Sequence, residues 1–348
     1  MKTYTIKRIA ELAGVSKGTV DRVLHKRGKV SAKALDKVSK VLKEIDYKPN
    51  LLARSLKNTR TYHICVVLPD STIDSFWKPC NDGIQEAIDE FTSFGIFIEP
   101  FLFDPREVDS FKKVNAKVLT MVPDAVLIAP LFHKETVQIV HKYKNLNTVI
   151  SKFNNPVEIE NTQNFVGQDL YRSGRVAGNL MDAIRKKESG IGIIHIDEDI
   201  ENAIYIKEKE RGFRDYFKEK EKSYQIETYN LKEDELKVKL NGILSANKGV
   251  KSIFVTTSKI HRVAQYIHDR NLDDVKLIGY DLLPENIDFL LKKKIRFLIH
   301  QNPRKQVYLG IKFLVDFFLF DKKIPAKSLL PIDIISSENI ASYIDESK

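Results

Sequence analysis

From Tyr62 onward, short apolar runs alternate with segments whose apolar residues recur at helical spacing. The first run is "YHICVVLP", and a helical pattern through Ile84, Ala87, Ile88 and Phe91 follows it. The later runs are "FIEPFLF", "AVLIAP", "TVIS", "GIIHI", "SIFVTT" and "KLIGYD". Alternating strands and helices predict doubly wound parallel sheets with helices on both faces, and the two series of runs predict two lobes.

Polar residues stand where several of these strands end, which indicates a ligand-binding cleft. Sheets of this class bind ligands beyond the carboxyl ends of their strands. The sequence has no phosphate-binding loop, no nucleophile elbow and no metal-spaced group of cysteines or histidines. We therefore expect a binding protein rather than an enzyme, with no metal and no cofactor.

The positive charge of the chain is concentrated at its start. Residues 1–60 carry 16 lysines and arginines against 5 acidic residues, a net charge of +11, whereas the remaining 288 residues carry 41 against 42, a net charge of −1. A basic module joined to a neutral body is typical of a nucleic-acid-binding domain attached to a different domain. A basic solvated tail is the alternative that charge alone leaves open.

Residues 1–49 have the pattern of three short helices. Gly14 is placed to end the first helix, while Ser16 and Ser31 are placed to cap the second and third. The expected core positions of the third helix are Leu35, Val38, Val41, Leu42 and Ile45. The sharp corner predicts an all-α helix-turn-helix whose second helix enters the major groove of DNA. Helical hairpins also occur in proteins that bind no DNA.

The segment "TIKRIAELAGVSKGTVDRVLHKRGKVSAKALDKVSKVLKEIDYKPNLLARSL" resembles, without a gap, the DNA-binding headpiece of the LacI/GalR family of bacterial repressors. The motifs that carry the resemblance are "AGVS", "TV", "RV", "VS", "YKPN" and "ARSL". It implies that Lys17, Gly18 and Arg22 face base edges and that Thr19 helps to hold the phosphate backbone. The implied DNA-contacting set is Thr5, Ser16, Lys17, Gly18, Thr19, Arg22, Lys29, Asn50, Arg54 and Leu56.

The same resemblance implies a hinge helix in the linker at residues 50–60. Alone, "NLLARSLKN" is too short to be a stable helix in water, and a hinge helix would order on DNA with Leu56 wedged into the minor groove. A plain interdomain linker is the alternative. Asp21 departs from the serine usual in the family, and Gly18 loosens its helix by about 1 kcal/mol relative to alanine, so we expect an unusual operator.

Residues 61–348 resemble the periplasmic-sugar-binding-protein fold that forms the effector domain of the same family. The markers are "SFW" at 75–77, "GYD" at 279–281 and "HQNPRKQVYLGIKFL" at 300–314. The resemblance implies three crossings between an N-lobe at about 61–165 and 302–328 and a C-lobe at about 166–301 and 329–348. The implied effector-binding set is Phe76, Trp77, Lys152, Lys209, Thr257, Asp281 and Gln301.

Aromatic, carboxylate and amide groups in this set suit a sugar. Where the family usually has an arginine and an Asn-Asp pair, this chain has Lys209 and the pair Thr257-Ser258. Because lysine cannot reproduce a planar bidentate fork, Lys152 and Lys209 leave room for an anionic group on the sugar. Packing in the core is the alternative role for Trp77.

Together these features predict a ligand-responsive transcriptional regulator, usually a repressor in this family, that binds a pseudo-palindromic operator as a homodimer. The effector is expected to be a sugar or a sugar derivative. The runner-up is a sugar-binding transport protein that shares the effector-domain fold.

Two cysteines are too few for a disulfide framework, no apolar run reaches 18 residues, and no secretory segment opens the chain. We therefore expect a cytoplasmic protein with no membrane partner.

Overall fold

The structure, a computed structural model, describes residues 5–24, 28, 30–45, 60–157, 164–185, 189–197, 204–220, 224–245 and 249–344 of the 348-residue chain. The chain divides into two compact units, Met1–Arg60 and Thr61–Lys348. Each unit has hydrophobic clusters of its own. None of the helices within these ranges has both the length and the apolar character needed to cross a bilayer.

The first unit contains the helices α1 (Ile6–Ala13), α2 (Lys17–Leu24) and α3 (Ala32–Glu44). Gly14 ends α1 in the left-handed conformation, with φ of 61°, a conformation that glycine adopts without steric cost. Ser16 Oγ accepts the Thr19 backbone N–H at 3.1 Å, and Ser31 Oγ accepts that of Ala34 at 3.3 Å. The predicted helix end and both predicted caps are confirmed.

The core of the first unit differs from the prediction at one position. Ile9, Val20 and Val38, one from each helix, are fully buried. Leu35 was expected beside Val38 but is 48% exposed. The face that α3 packs against the other two helices instead runs from Val38 toward the end of the helix.

The described residues of the second unit form twelve strands. In chain order they are β1 (Tyr62–Pro69), β2 (Ile96–Phe103), β3 (Ala125–Ile128), β4 (Val149–Asn154), β5 (Phe165–Gly167), β6 (Gly190–Ile196), β7 (Ile226–Leu231), β8 (Val250–Val255), β9 (Lys276–Tyr280), β10 (Phe297–His300), β11 (Lys327–Leu329) and β12 (Asp333–Ile335). They form two six-stranded sheets with the orders β11-β5-β4-β3-β1-β2 and β12-β10-β9-β8-β6-β7. The β10–β12 pair is antiparallel, and the other pairs are parallel.

Helices connect the strands and cover the sheets. In chain order they are α4 (Lys78–Phe91), α5 (Val108–Met121), α6 (His133–Asn145), α7 (Leu170–Ile184), α8 (Ile204–Lys218), α9 (Leu236–Ser245), α10 (Ile260–Asp269), α11 (Pro284–Leu291), α12 (Pro303–Phe320) and α13 (Ala341–Ile344), with 3₁₀ turns at Ser75–Trp77 and Thr92–Phe94. Each sheet carries one hydrophobic cluster on each face. The predicted class, a helical headpiece followed by two doubly wound lobes, is confirmed.

The chain passes between the two sheets after β5, after β10 and after β11. β5 and β11 pair in parallel, with Lys327 opposite Phe165 and Leu329 opposite Gly167. Both strands therefore lie entirely in the first sheet. The sequence-based boundaries at 165/166 and 328/329 cut through these strands, so they fall slightly too early. The middle boundary at 301/302 falls between β10 and α12.

Helices α7 and α8 approach each other closely because glycines stand at their contact. A Cβ on Gly212 would lie 1.9 Å from the carbonyl oxygen of Tyr171, and one on Gly174 would lie 2.0 Å from that of Lys209. Both oxygens are backbone atoms, which cannot move aside as a side chain can. This contact fixes where α8, and the Lys209 that it carries, lies on the second sheet.

We expect Gly212→Ala to lower the free energy of unfolding by about 3 kcal/mol, because the added methyl group forces two helix backbones apart. Urea denaturation followed by circular dichroism measures this. Gly242→Ala in α9 is the matched control, since a Cβ there meets nothing within 4 Å and alanine is the better helix former by about 1 kcal/mol. Equal stability of the two variants would contradict the close approach.

Candidate functional site

The second helix of the first unit presents a polar, basic surface. Lys17, Gly18 and Arg22 are exposed on α2. Arg22 Nε donates to the Gly18 carbonyl oxygen at 3.1 Å, so the guanidinium group is held against the first turn of the helix. A guanidinium group is the side chain that reads guanine bidentately in the major groove. The exposed face of α2 therefore has the chemistry of a DNA-reading surface.

Three further residues of the predicted DNA-contacting set lie at the N-terminal ends of helices. Thr5 Oγ1 accepts the Arg8 backbone N–H at 3.2 Å, and Ser16 and Thr19 share a hydrogen bond at 2.9 Å between their hydroxyl oxygens. Helix N-termini of this kind favour phosphate. The remaining members of the set, Lys29, Asn50, Arg54 and Leu56, lie outside the described residues, as does the predicted hinge helix.

A cavity opens between the two lobes of the second unit. It lies beyond the carboxyl ends of strands from both sheets, where doubly wound folds bind ligands. One lobe contributes Asp74, Phe76, Trp77, Leu131, Asn154 and Asn155. The other contributes Tyr205, Lys209, Thr256, Thr257, Ser258, Asp281 and Gln301.

Six of the seven predicted effector-binding residues line this cavity. They are Phe76, Trp77, Lys209, Thr257, Asp281 and Gln301. Lys152 is not among the lining residues, because β4 does not end where the sequence pattern suggests but runs on to Asn154. Its buried ammonium group donates to the Val157 carbonyl oxygen at 2.7 Å. Asn154 and Asn155 hold the place in the cavity that was expected for Lys152.

The aromatic residues of the cavity belong to its wall and to the core at once. The Asp74 carboxylate accepts the Phe76 backbone N–H at 3.1 Å and so begins the 3₁₀ turn Ser75–Trp77. Trp77 meets the rings of Phe76 and Phe153 edge to face, at centroid distances of 5.0 and 6.0 Å. Only 3% of Trp77 is exposed. The indole is thus both a core residue and one border of the cavity.

Asp281 is the most constrained acidic group of the cavity. It follows β9 in the left-handed conformation, with φ of 67°. Its two carboxylate oxygens accept the backbone N–H of Gln301 at 3.1 Å and the side-chain amide of the same residue at 2.7 Å. Burial raises the pKa of Asp281 to about 6, although the Lys209 ammonium group and the Gln301 donors favour the ionised form.

Lys209 supplies the positive charge of the cavity. Its Nζ donates to the Thr256 carbonyl oxygen at 3.1 Å and lies 3.8 Å from the centre of the Tyr280 ring. The side chain is almost completely buried, and a buried ammonium group needs such partners. The Lys209 ammonium group attracts the Asp281 carboxylate, and both residues line the C-lobe wall of the cavity.

A chain of amide groups joins this wall to the other lobe. The Gln301 carbonyl oxygen accepts from Gln306 Nε2 at 2.7 Å, and Gln306 Oε1 accepts from Asn154 Nδ2 at 3.4 Å. Gln301 also donates to Asp281. Cavity residues of both lobes are therefore connected through the middle crossover.

Seven lining residues are absent from the sequence-based set. They are Asp74, Leu131, Asn154, Asn155, Tyr205, Thr256 and Ser258. Asn154 and Thr256 stand at or just after the ends of β4 and β8, so the rule that doubly wound sheets bind ligands at strand ends could have found them. Tyr205 lies on α8, and no pattern in the sequence marks it.

The pKa of Asp281 predicts how stability depends on pH. Between the ordinary value of 3.8 and the folded value of about 6, the unfolded chain has lost the proton that the folded protein keeps. Stability therefore falls as the pH rises through this window, by about 3 kcal/mol at about 1.4 kcal/mol per pKa unit. Urea denaturation across pH 4 to 7 measures the slope, which Asp281→Asn should flatten. An identical slope in this variant would contradict the assignment.

Two family descriptions match the chain. Residues 64–321 match "Periplasmic binding protein domain", and residues 5–50 match "Bacterial regulatory proteins, lacI family". The first range lies in the second unit and spans more than half of the chain. The second range contains the three helices of the first unit.

Relatives and solved structures agree with these matches. The ribose operon repressor of Lactococcus lactis is 27% identical over 290 residues, which cover 80% of each chain. A crystal structure from Bacteroides fragilis, assigned as a LacI transcriptional regulator, has a TM-score of 0.77 at 27% identity and covers 82% of this chain and 100% of its own. A carbohydrate transporter solute binding protein from Agrobacterium radiobacter, solved with D-arabinose, shares the fold. Its TM-score is 0.70 at 19% identity, and the match covers 83% of this chain and 99% of that protein's chain.

Proposed function

Because the chain belongs to the LacI family of bacterial regulatory proteins, we propose that it represses a carbohydrate-utilisation operon and that a sugar in the interlobe cavity controls its affinity for the operator. The observation that carries this proposal is the composition of the cavity. Aromatic rings, carboxylates and amides lie together at the carboxyl ends of strands from two sheets. Groups of these kinds bind and orient a polyhydroxylated ligand.

The charges of the cavity favour an uncharged sugar. Asp74 and Asp281 oppose the single ammonium group of Lys209, and Lys152 does not line the cavity. The charge of Lys209 is also offset by its attraction to Asp281. An anionic group, which the two lysines suggested from the sequence, would therefore meet a net negative wall. D-ribose is the first candidate, since the Lactococcus lactis relative is a ribose operon repressor.

In this proposal the first unit binds the operator. Lys17, Gly18 and Arg22 face base edges, with phosphate contacts from Thr5, Ser16 and Thr19, and the set is completed by Lys29, Asn50, Arg54 and Leu56. Two headpieces of a homodimer would read half-sites of a pseudo-palindrome spaced by roughly 10 base pairs. Such a protein works where the operator is, in the cytoplasm.

The edge of the first sheet supports a homodimer. β2 is the edge strand of that sheet, and its residues Phe97 and Leu102 are 52% and 43% exposed. An edge strand with large exposed apolar side chains is a surface that proteins normally cover. A second copy of the chain is the partner that we propose for it.

The effector acts by binding one arrangement of the lobes more tightly than the other. The amide chain Asp281–Gln301–Gln306–Asn154 passes through the middle crossover, so a ligand that engages either end also acts on the connection between the lobes. This supports a coupling between sugar binding and lobe position.

Trp77, the single tryptophan of the chain, should report binding directly. Adding the correct sugar is expected to change the intensity or wavelength of its emission, because the indole borders the cavity. The change should saturate, and the same sugar should stabilise the protein by about 2.7 kcal/mol at a hundredfold excess over its Kd. A sugar that stabilises the protein but leaves the emission unchanged would contradict the position of Trp77.

Electrophoretic mobility shift with the DNA upstream of the gene tests the proposed function. We expect the purified protein to shift that DNA, and a neutral sugar from a panel of D-ribose, D-arabinose, D-glucose and D-galactose to change the shift. The alternative, a sugar-binding transport protein of the same fold, predicts sugar binding with no DNA shift at any salt concentration.

A further inference from the structure

A buried histidine joins the cavity to the helix that carries Lys209. His195 lies in β6 and is 3% exposed. Its Nδ1 is 2.6 Å from Thr256 Oγ1, and its Nε2 is 2.9 Å from Glu210 Oε2. Thr256 lines the cavity, and Glu210 directly follows Lys209 on α8. His195 therefore has one neighbour in the cavity wall and one on the helix behind it.

The direction of these hydrogen bonds follows from the state of Glu210. Burial opposes its ionisation, but the donors His195, Thr228 and Arg214 outweigh burial and lower the pKa of Glu210 to about 2. An ionised carboxylate can only accept, so the imidazole Nε2–H donates to it. In the tautomer that carries its proton on Nε2, Nδ1 is an acceptor. The Thr256 hydroxyl, which also lies 3.5 Å from the Ile194 carbonyl oxygen, can then donate to Nδ1 at 2.6 Å.

Glu210 is itself firmly held. Its other oxygen, Oε1, accepts from Arg214 Nε at 2.6 Å and from the Thr228 hydroxyl at 2.6 Å. Because Glu210 cannot turn away, the orientation of the His195 ring is fixed. Partners of this kind define which nitrogen of a histidine carries the proton.

Two adjacent residues of α8 thus hold Thr256 from two directions. Lys209 Nζ donates to the Thr256 carbonyl oxygen at 3.1 Å, and Glu210 reaches the Thr256 hydroxyl through His195. The result is a closed ring of contacts between α8 and the end of β8. Loss of the His195 contact would leave Thr256 held only by the Ile194 carbonyl oxygen, which its backbone N–H reaches at 3.2 Å and its hydroxyl at 3.5 Å, and would loosen the carbonyl to which Lys209 donates.

We propose that His195 is a positioning residue for effector binding, which holds Thr256 so that its carbonyl keeps the Lys209 ammonium group beside Asp281. His195 acts on the effector through Thr256 and Lys209. The inference rests on the proposed function in that it concerns the same cavity. It adds a residue that no strand-end or motif rule indicates.

Two substitutions separate positioning from stability. His195→Asn places an amide oxygen where Nδ1 was, so it can still accept from Thr256, but it is too short to reach Glu210. His195→Gln can still donate to Glu210 but removes the 2.6 Å acceptor of the Thr256 hydroxyl, which keeps only the 3.5 Å contact with the Ile194 carbonyl oxygen. We expect H195N to be the less stable variant, because it removes a donor from an ionised, half-buried carboxylate.

We expect the affinity for sugar to rank the two variants in the opposite order, so that the less stable H195N binds more tightly than H195Q. By isothermal calorimetry with the sugar of the panel that binds best, H195N is expected to stay within about threefold of the native Kd, and H195Q to bind about tenfold more weakly, a loss of about 1.4 kcal/mol. A purely structural role predicts that the less stable variant also binds less well. If affinity follows stability in this way, or if H195Q binds as tightly as the native protein, the proposal is wrong.

Ligand-free crystal structures of the native protein and both variants test the same point without any sugar. The hydrogen bond of Lys209 Nζ to the Thr256 carbonyl oxygen should be kept in H195N and lost in H195Q. Its presence in both variants would overturn the positioning role. If the bond behaves as expected but no sugar binds the native protein, the proposed effector class fails and the role of His195 in placing Lys209 stands.

Discussion

A protein truncated to begin at Thr61 is expected to lose all measurable affinity for operator DNA while it keeps its affinity for sugar. The excess charge of +11 lies in residues 1–60, and the rest of the chain has a net charge of −1. Because the chain forms two compact units that divide at this point, the truncation should leave the second unit folded. Circular dichroism and sugar calorimetry check the fold, and fluorescence anisotropy of a labelled operator measures the loss.

The full-length protein supplies the control for this prediction. Its operator affinity should fall by roughly a factor of 10³ between about 50 and 200 mM salt, because each neutralised phosphate releases a counterion. Operator binding by the truncated protein, or a full-length affinity that does not depend on salt, would contradict a DNA-binding role for the first unit.

The second large effect is expected at Asp281. Asp281→Asn replaces one acceptor oxygen by an amide that faces the donors of Gln301, and it removes the charge that attracts Lys209. Since hydrogen bonds to charged groups are worth about 1.5–3 kcal/mol each, we expect the Kd for sugar to rise about 100-fold. Calorimetry gives the Kd, and urea denaturation shows whether the variant is folded.

Asp197→Asn is the matched control. Asp197 also follows a strand of the second sheet and also has a positive φ, of 50°, but it is not among the residues that line the cavity. We expect this variant to bind sugar as the native protein does. Similar affinities in the two variants would show that Asp281 does not contact the ligand.

The sequence was sufficient for the architecture because the fold rests on local patterns. Gly14, Ser16 and Ser31 mark helix ends by backbone chemistry that acts within a few residues, and the apolar runs mark buried strands. The positions predicted for the crossings between the lobes were less accurate. The short strand Phe165–Gly167 pairs with Val149–Asn154 on one side and with Lys327–Leu329 on the other, and a pairing between such distant segments leaves no mark in either one.

Some residues of the cavity could be predicted from the sequence and others could not. Asp281 and Gln301 directly follow strands, and the family motifs "GYD" and "HQNP" contain them, so both were found. Lys152 was misplaced because "TVIS" does not show that β4 continues for three residues to Asn154. Because of this error in the strand end, Lys152 lies within β4 and Asn154 lines the cavity in its place.

His195 shows what a sequence read without coordinates cannot supply. It is one of eight histidines without metal spacing, and its partners Glu210 and Thr256 lie 15 and 61 positions away. The group becomes visible only when α8 packs on the sheet. That packing depends in turn on Gly174 and Gly212, whose missing side chains allow the helices to approach.

The central claim is that a neutral sugar in the interlobe cavity controls operator binding by the first unit. Fluorescence anisotropy of labelled operator DNA, measured with the full-length protein at fixed salt while the sugar panel is titrated, tests it most directly. We predict that a neutral sugar changes the operator Kd of the native protein and of Asp197→Asn, and that Asp281→Asn needs about 100-fold more of the same sugar for the same change. An operator Kd that no sugar alters, or an equal response of Asp281→Asn, would contradict the account.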